Sequence, residues 1–154
     1  MKHPNNCVTD NSEEIQKFRD KCIRALARRE HSQAELLQKA RDFALSDEVA
    51  REIVENLSER GWQSDERFTE NFLRAKTKNG DGAAKIRLAL QKRKIANELI
   101  EEQLREVDWN EILTDIYRRK YGERPIKTPQ EKAKRIRFLL SRGFSYEEIR
   151  KVCK

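Results

Sequence analysis

The chain has 154 residues, of which 36% are hydrophobic and 40% charged, and its 34 basic and 27 acidic side chains leave a net charge of +7. That length holds one domain or a short array of small units, and so little apolar material cannot build one thick core. Composition alone leaves a disordered basic chain open, and the charge favours an anionic partner without naming it. The cysteines Cys7, Cys22 and Cys153 are far apart with no CxxC pair, which argues against a disulfide framework or zinc site and fits a reducing, cytoplasmic setting. Met1 to Ser12 is polar and lacks the apolar run of a signal peptide, and no later stretch approaches the ~18 apolar residues of a membrane span. A soluble protein, not exported and with no membrane partner, is expected.

In chain order, a flexible tail over 1–16 is expected before a first helix over 17–28, whose stripe is Phe18, Cys22, Ala25 and Leu26. Ser32 with Glu35 has the spacing of a capping box and opens a helix over 32–43. Val49, Ala50, Ile53, Val54 and Leu57 mark a third over 46–60, stopped by Gly61 in a left-handed C-terminal cap. Phe68, Phe72, Leu73 and Ala75 mark 64–77; Ile86, Ala89 and Leu90 mark 82–92; Leu99, Ile100, Gln103 and Leu104 mark 96–106. Trp109, Ile112, Leu113, Ile116 and Tyr117 mark 108–121. Thr128, Pro129 and Glu131 start a helix over 128–142 carrying Ile136, Leu139 and Leu140, which Gly143 stops. Ser145 with Glu148 starts the last, over 145–153, with Phe144 and Ile149 placed as an apolar staple. No segment alternates with period two for long, so the fold class is all-α with about nine short helices.

The helices repeat in threes. The segment from Ser32 through Leu45 to Val49 is echoed 50 residues later from Gly82 through Ile95 to Leu99, with a looser third copy at Phe144-Ser145. Three tandem three-helix repeats, 17–61, 62–107 and 108–154, in an elongated curved array are expected, since stacked repeats need only local cores. Leu36, Ile53, Leu57, Phe68, Phe72, Ile86, Leu99 and Ile136 are the expected core positions.

Charge is concentrated. Residues 74–94 carry eight basic groups against Asp81, for +7, and residues 118–142 carry ten against Glu123 and Glu131, for +8, so the rest of the chain sums to −8. Both windows fall at the junction of the first and second helix of a repeat, equivalent to Arg28-Arg29 in the first. A phosphate backbone is the natural counterpart, because each cation that neutralises a phosphate releases a condensed counterion. Solvated helix faces are the plain alternative.

Other features are weaker. Leu57 to Ser64 could be the turn of a helix-turn-helix, but glycine after one helix and serine before the next is general punctuation of helical hairpins. His31 has no acid-base or metal constellation around it and is expected to be structural or solvent-facing. Trp62 and Trp109 could stack on bases, yet each starts or abuts an apolar stripe and is expected to pack in the core. Asn79-Gly80-Asp81-Gly82 lacks the lysine and hydroxyl of a P-loop. No metal cluster or nucleophile motif is present, so neither a cofactor nor catalysis is expected.

Four segments then carry a resemblance: Leu26-Ala-Arg-Arg-Glu-His-Ser-Gln-Ala-Glu-Leu36, Ser64-Asp-Glu-Arg-Phe-Thr-Glu-Asn-Phe72, Asn79-Gly-Asp-Gly-Ala-Ala-Lys-Ile86 and Leu139-Leu-Ser-Arg-Gly-Phe-Ser-Tyr-Glu-Glu-Ile149. In order and spacing, over about residues 17–154, they resemble the successive signatures of the bacterial RecX family. The sequence departs from that pattern at Lys94-Ile95, where the family commonly has glycine before isoleucine, and at Ala89-Leu90, where an acid often precedes the leucine. The resemblance implies a monomeric recombination regulator that binds the RecA filament on single-stranded DNA and restrains its ATPase, strand exchange and coprotease activities. The basic surface expected to face the filament's DNA, or an acidic RecA surface, comprises Arg28, Arg29, Arg74, Lys76, Lys78, Lys85, Arg87, Arg118, Arg119 and Lys120. Two rivals stay open: a sequence-specific DNA-binding module using the Gly61 turn, and a helical adaptor that binds protein only.

Overall fold

A computed structural model describes the backbone of residues 4–154 and the side chains of residues 11–154. It is all-helical over those residues: α1 (Pro4–Arg28), α2 (Gln33–Lys39) with a 3₁₀ turn (Ala40–Asp42), α3 (Asp47–Glu59), α4 (Asp65–Lys78), α5 (Ala83–Lys92), α6 (Asn97–Arg105), α7 (Trp109–Tyr121), α8 (Pro129–Ser141) and α9 (Tyr146–Arg150). Two compact units divide the chain, Met1–Phe68 and Thr69–Lys154.

The first helix starts earlier than its stripe suggested. Ile15, one turn before Phe18, packs against the first core, and Glu14 accepts the Ala44 N–H at 3.1 Å, so residues 11–16 are helical rather than tail. Met1 to His3, and the Cys7 side chain, lie outside the described residues. In the first unit α1, α2 and α3 enclose Phe18, Cys22, Ala25, Leu36, Ala50, Ile53, Val54 and Leu57. Burial pushes the Cys22 thiol up to about 11, so it behaves as a small apolar group rather than a thiolate. In the second unit Leu113, Ile116, Leu139, Phe144, Ile149 and Cys153 form the cluster of the last three helices, and Ile86, Leu90, Ile95, Ile100 and Leu104 are buried in α5, α6 and the turn between them. Of the expected core positions, Leu36, Ile53, Leu57, Phe68 and Ile86 are buried, whereas Phe72, Leu99 and Ile136 are only half-buried, at the borders of their stripes.

The caps follow the sequence closely. Ser32 and Ser145 form complete capping boxes, the N3 amides reaching the hydroxyls at 3.1 and 3.2 Å and the N3 carboxylates taking the serine N–H at 3.0 and 2.9 Å. Thr128 accepts the Glu131 N–H at 3.1 Å, but the Glu131 carboxylate does not return to Thr128: it takes the Lys127 N–H at 3.3 Å and the Arg135 guanidinium at 2.8 Å. A competing charged partner thus breaks the reciprocal half of that box.

Gly143 (φ +97°) ends α8, and the next residue, Phe144, donates to the Leu139 carbonyl at 3.3 Å. A Cβ on Gly143 would lie 2.6 Å from the Lys85 backbone nitrogen, and one on Gly82 would lie 2.6 Å from the Gly143 carbonyl carbon. The two backbones are that close because Gly82 N–H donates to Arg142 O at 2.6 Å and Ala84 N–H to Gly143 O at 3.0 Å. The same turn without glycine ends α5: Lys94 takes φ +58° and Ile95 N–H reaches Leu90 O at 3.2 Å. The family's customary glycine would sit there without strain.

Candidate functional site

At the α1–α2 junction Arg28 is exposed, and its guanidinium has no hydrogen bond or ion pair among the described residues. Arg29 is committed, its guanidinium 3.0 Å from Glu35. Burial would raise the Glu35 carboxyl, but the Arg29 and Ser32 hydrogen bonds and the Arg29 charge outweigh it and hold the group below its usual range. His31 is buried, with Nδ1 3.0 Å from the Arg29 carbonyl, and burial lowers its pKa and keeps the ring neutral. It holds the turn, as the structural reading expected. Gln63, also buried, donates to the His31 carbonyl at 3.2 Å and to Asp65 at 2.8 Å, and Asp65 accepts the Gln33 N–H at 2.9 Å.

The α4–α5 junction separates its cations into free and committed groups. Arg74 and Lys78 are exposed, and Arg74 touches only the Asn71 side chain, at 3.3 Å. Lys76 and Arg93 lie over the Phe72 ring, 5.3 and 4.7 Å from its centre. Lys85 pairs with the buried Asp81 at 3.3 Å, which Arg142 approaches at 3.4 Å, and Arg87 pairs with Glu101 at 2.5 Å. Hydrogen bonding and charge from Arg87 hold the Glu101 carboxyl below its usual range.

At the α7–α8 junction Arg118 is exposed and has no partner among the described residues, Arg119 is paired with Asp115, and the Lys120 ammonium lies 3.6 Å from the Phe138 ring centre. Arg135, one of the ten cations of this window and outside the expected surface, is buried, with 2% exposure. Its guanidinium donates to Tyr117 Oη at 2.7 Å, the Arg124 carbonyl at 3.0 Å and Glu131 at 2.8 Å, and lies 4.5 Å from the Tyr121 ring centre. Lys127, Lys132, Lys134 and Arg137, which lie in the same window but were left out of the expected surface, are exposed without ion pairs among the described residues. Their signal was present in the charge count, but not which of the ten cations pair.

Two readings of the Gly61 turn change. Trp62 is 49% exposed rather than in the core, because Gly61 (φ +78°) ends α3 and turns the chain so that Trp62 N–H caps Leu57 O at 3.0 Å while its ring faces outward. Trp109 does pack on its cluster, with Nε1 donating to Leu104 O at 3.0 Å. The helix after Gly61 starts with Asp65 and Glu66, an arrangement that repels a DNA backbone where a recognition helix would enter a groove. Among the described residues no group of three or more His, Cys, Asp or Glu could hold a metal ion, and no helix is long and apolar enough to cross a membrane.

Comparison with known proteins completes the picture. Models of the second and third three-helix domains of RecX match residues 64–104 and 106–153. The regulatory protein RecX of Chromohalobacter salexigens is 40% identical over 136 residues, covering 86% of this chain and 88% of its own. That of Pseudomonas putida is 41% identical over 127 residues, covering 80% and 81%. The crystal structure of RecX from Lactobacillus salivarius superposes with a TM-score of 0.76 at 21% identity, over 92% of this chain and 95% of that one. Sequence and fold agree over most of the length, and the chain belongs to the RecX family of regulatory proteins.

Proposed function

We propose that this protein binds the RecA filament on single-stranded DNA and restrains its ATPase, strand-exchange and coprotease activities, acting as a monomer without catalysis of its own. The observation that carries the reading is family membership over at least 80% of the chain, joined to what the resemblance to RecX implies. The distribution of free cations supports it. Arg28 in the first unit, and Arg74, Lys78 and Arg118 in the second, are exposed and without ion pairs among the described residues, so each can meet a phosphate or an acidic RecA group without first breaking an ion pair. Arg29, Lys85, Arg87 and Arg119 already hold carboxylates, and Lys76 and Lys120 lie on aromatic rings. These six contribute less, because each must exchange one interaction for another.

Titration of RecA's DNA-dependent ATPase tests the reading. Inhibition at substoichiometric protein, weakening steeply with salt and reduced in an Arg74→Gln, Lys78→Gln, Arg118→Gln triple variant, is the expected result. An ATPase that is unaffected at every ratio sinks the proposal, and a flat salt dependence sinks its electrostatic part.

A further inference from the structure

The third repeat holds a cleft of about 360 Å³ where the end of α7, the following loop and α8 meet. Lys120, Arg124, Lys134 and Arg135 line it against one acid, Glu131, over the rings of Tyr121 and Phe138. The acid is already spent, since Glu131 takes the Lys127 N–H and the buried Arg135, whose terminal nitrogens donate to Tyr117, Arg124 and Glu131 and whose buried Nε has no partner. Arg124 gives Nε and one terminal nitrogen to the carbonyls of Tyr121 and Lys120 at 3.0 and 3.1 Å, leaving the other terminal nitrogen available. Lys134 is exposed and has no partner among the described residues. Three cations, Lys120, Arg124 and Lys134, therefore line the cleft with no ion pair among the described residues, Lys120 resting over the Phe138 ring.

The floor distinguishes between anions. A carboxylate needs only the cations, whereas this cleft sets them beside two half-buried rings, Tyr121 and Phe138, edge to face with centres 6.1 Å apart. Aromatic faces next to phosphate-binding cations are how single-stranded nucleic acids are held without sequence readout. The volume lies within the lower part of the ~300–1,000 Å³ span of ligand clefts. We propose that this cleft binds one phosphate of a single-stranded nucleic acid together with its adjoining base: the phosphate draws Lys120 off the Phe138 face, where it lies 3.6 Å from the ring centre, to meet it with Arg124 and Lys134, and the base takes the ring face so uncovered. The site needs no RecA, so it extends the filament reading without resting on it.

The test compares two probes on the full chain by fluorescence anisotropy at low salt: a labelled oligothymidylate, and an abasic phosphodiester of equal length. The wild-type protein is expected to prefer the oligothymidylate by at least about five-fold. Phe138→Leu, which keeps apolar volume against the third cluster, should abolish that preference at an unchanged melting temperature. Lys134→Gln, at an exposed position that the fold does not need, should weaken both probes to a similar degree. No base preference in the wild type, a preference that survives Phe138→Leu, or affinity unchanged in Lys134→Gln would each overturn the proposal. So would equal competition by polyglutamate, which assigns the cleft to an acidic protein surface. Because RecA is absent from this assay and DNA-dependent ATPase is the readout of the other, each proposal can fail while the other stands.

Discussion

The two units solve the same shortage of apolar residues differently. Up to Phe68, among the described residues, the polar side chains that become buried are neutral: His31, Ser32 and Gln63 close the turns around a cluster that reaches from Phe18 to Leu57. From Thr69 onward, charges are buried as well, Asp81 under Lys85 and Arg142, and Arg135 among Tyr117, Tyr121 and Glu131. A buried charge needs several partners with fixed geometry to offset its lost hydration, whereas a neutral group needs one or two hydrogen bonds. The second unit is accordingly the one whose structure depends on particular cations, and it is where most of the chain's positive charge resides.

The sharpest way to break this contrast is to damage the first core. Phe18→Ala is expected to cost about 3–5 kcal/mol, read from urea unfolding, with amide exchange protection lost over residues 11–68 and retained beyond. Loss of protection throughout would make the two units one cooperative body. Arg135→Ala is expected to cost about 2–3 kcal/mol, below the ~3–5 of a fully buried pair because the Glu131 side chain is 37% exposed. Arg135→Met, which fills the same space without charge, should recover most of it; no recovery would mean that hydrogen bonding, not burial, dominates there.

Smaller effects sharpen the picture. Gly143→Ala meets both a left-handed backbone and the Lys85 nitrogen 2.6 Å away, and is expected to cost about 2 kcal/mol or more, against about 1 for Gly61→Ala, where nothing lies within 4 Å. Equal melting temperatures for the two variants would show that the Gly82–Gly143 approach relaxes freely. Lys94→Gly should stabilise by about 1 kcal/mol by removing left-handed strain, seen as a raised melting temperature.

The smallest effect is the pH response of the first unit. The folded pKa of His31 lies below 6.5, so the unfolded state binds the proton more readily; the associated stability is complete above 6.5 and is lost as pH falls through the lower, folded value. Glu35, depressed from 4.5, adds a second loss in the same direction further into acid. His31→Gln should remove the first step and leave the second, as followed by exchange of first-unit amides.

Helix content, the caps at Ser32, Ser145 and Gly143, and most core positions were readable from the sequence because each depends on residues within about one or two turns of one another. Even Ile15 lay on the stripe of Phe18, and extending that stripe by one turn would have placed the start of α1 earlier. Lys94 was visible as a departure, though only its φ of +58° shows why glycine suits that position. Charge density was also readable, as two windows, but its use was not. Whether a given lysine or arginine is buried, paired or free depends on partners brought together by packing: Arg142 and Asp81 are 61 residues apart, and Arg135 and Tyr117 are 18 apart. The sequence by itself determined the helices and the sign of the field, because both follow from local spacing and composition. Only the tertiary structure decided that Arg135 turns inward, that Trp62 turns outward and that Lys120, Arg124 and Lys134 converge on one cleft, because a long side chain's energy is set by the neighbours it finds rather than by those beside it in the chain.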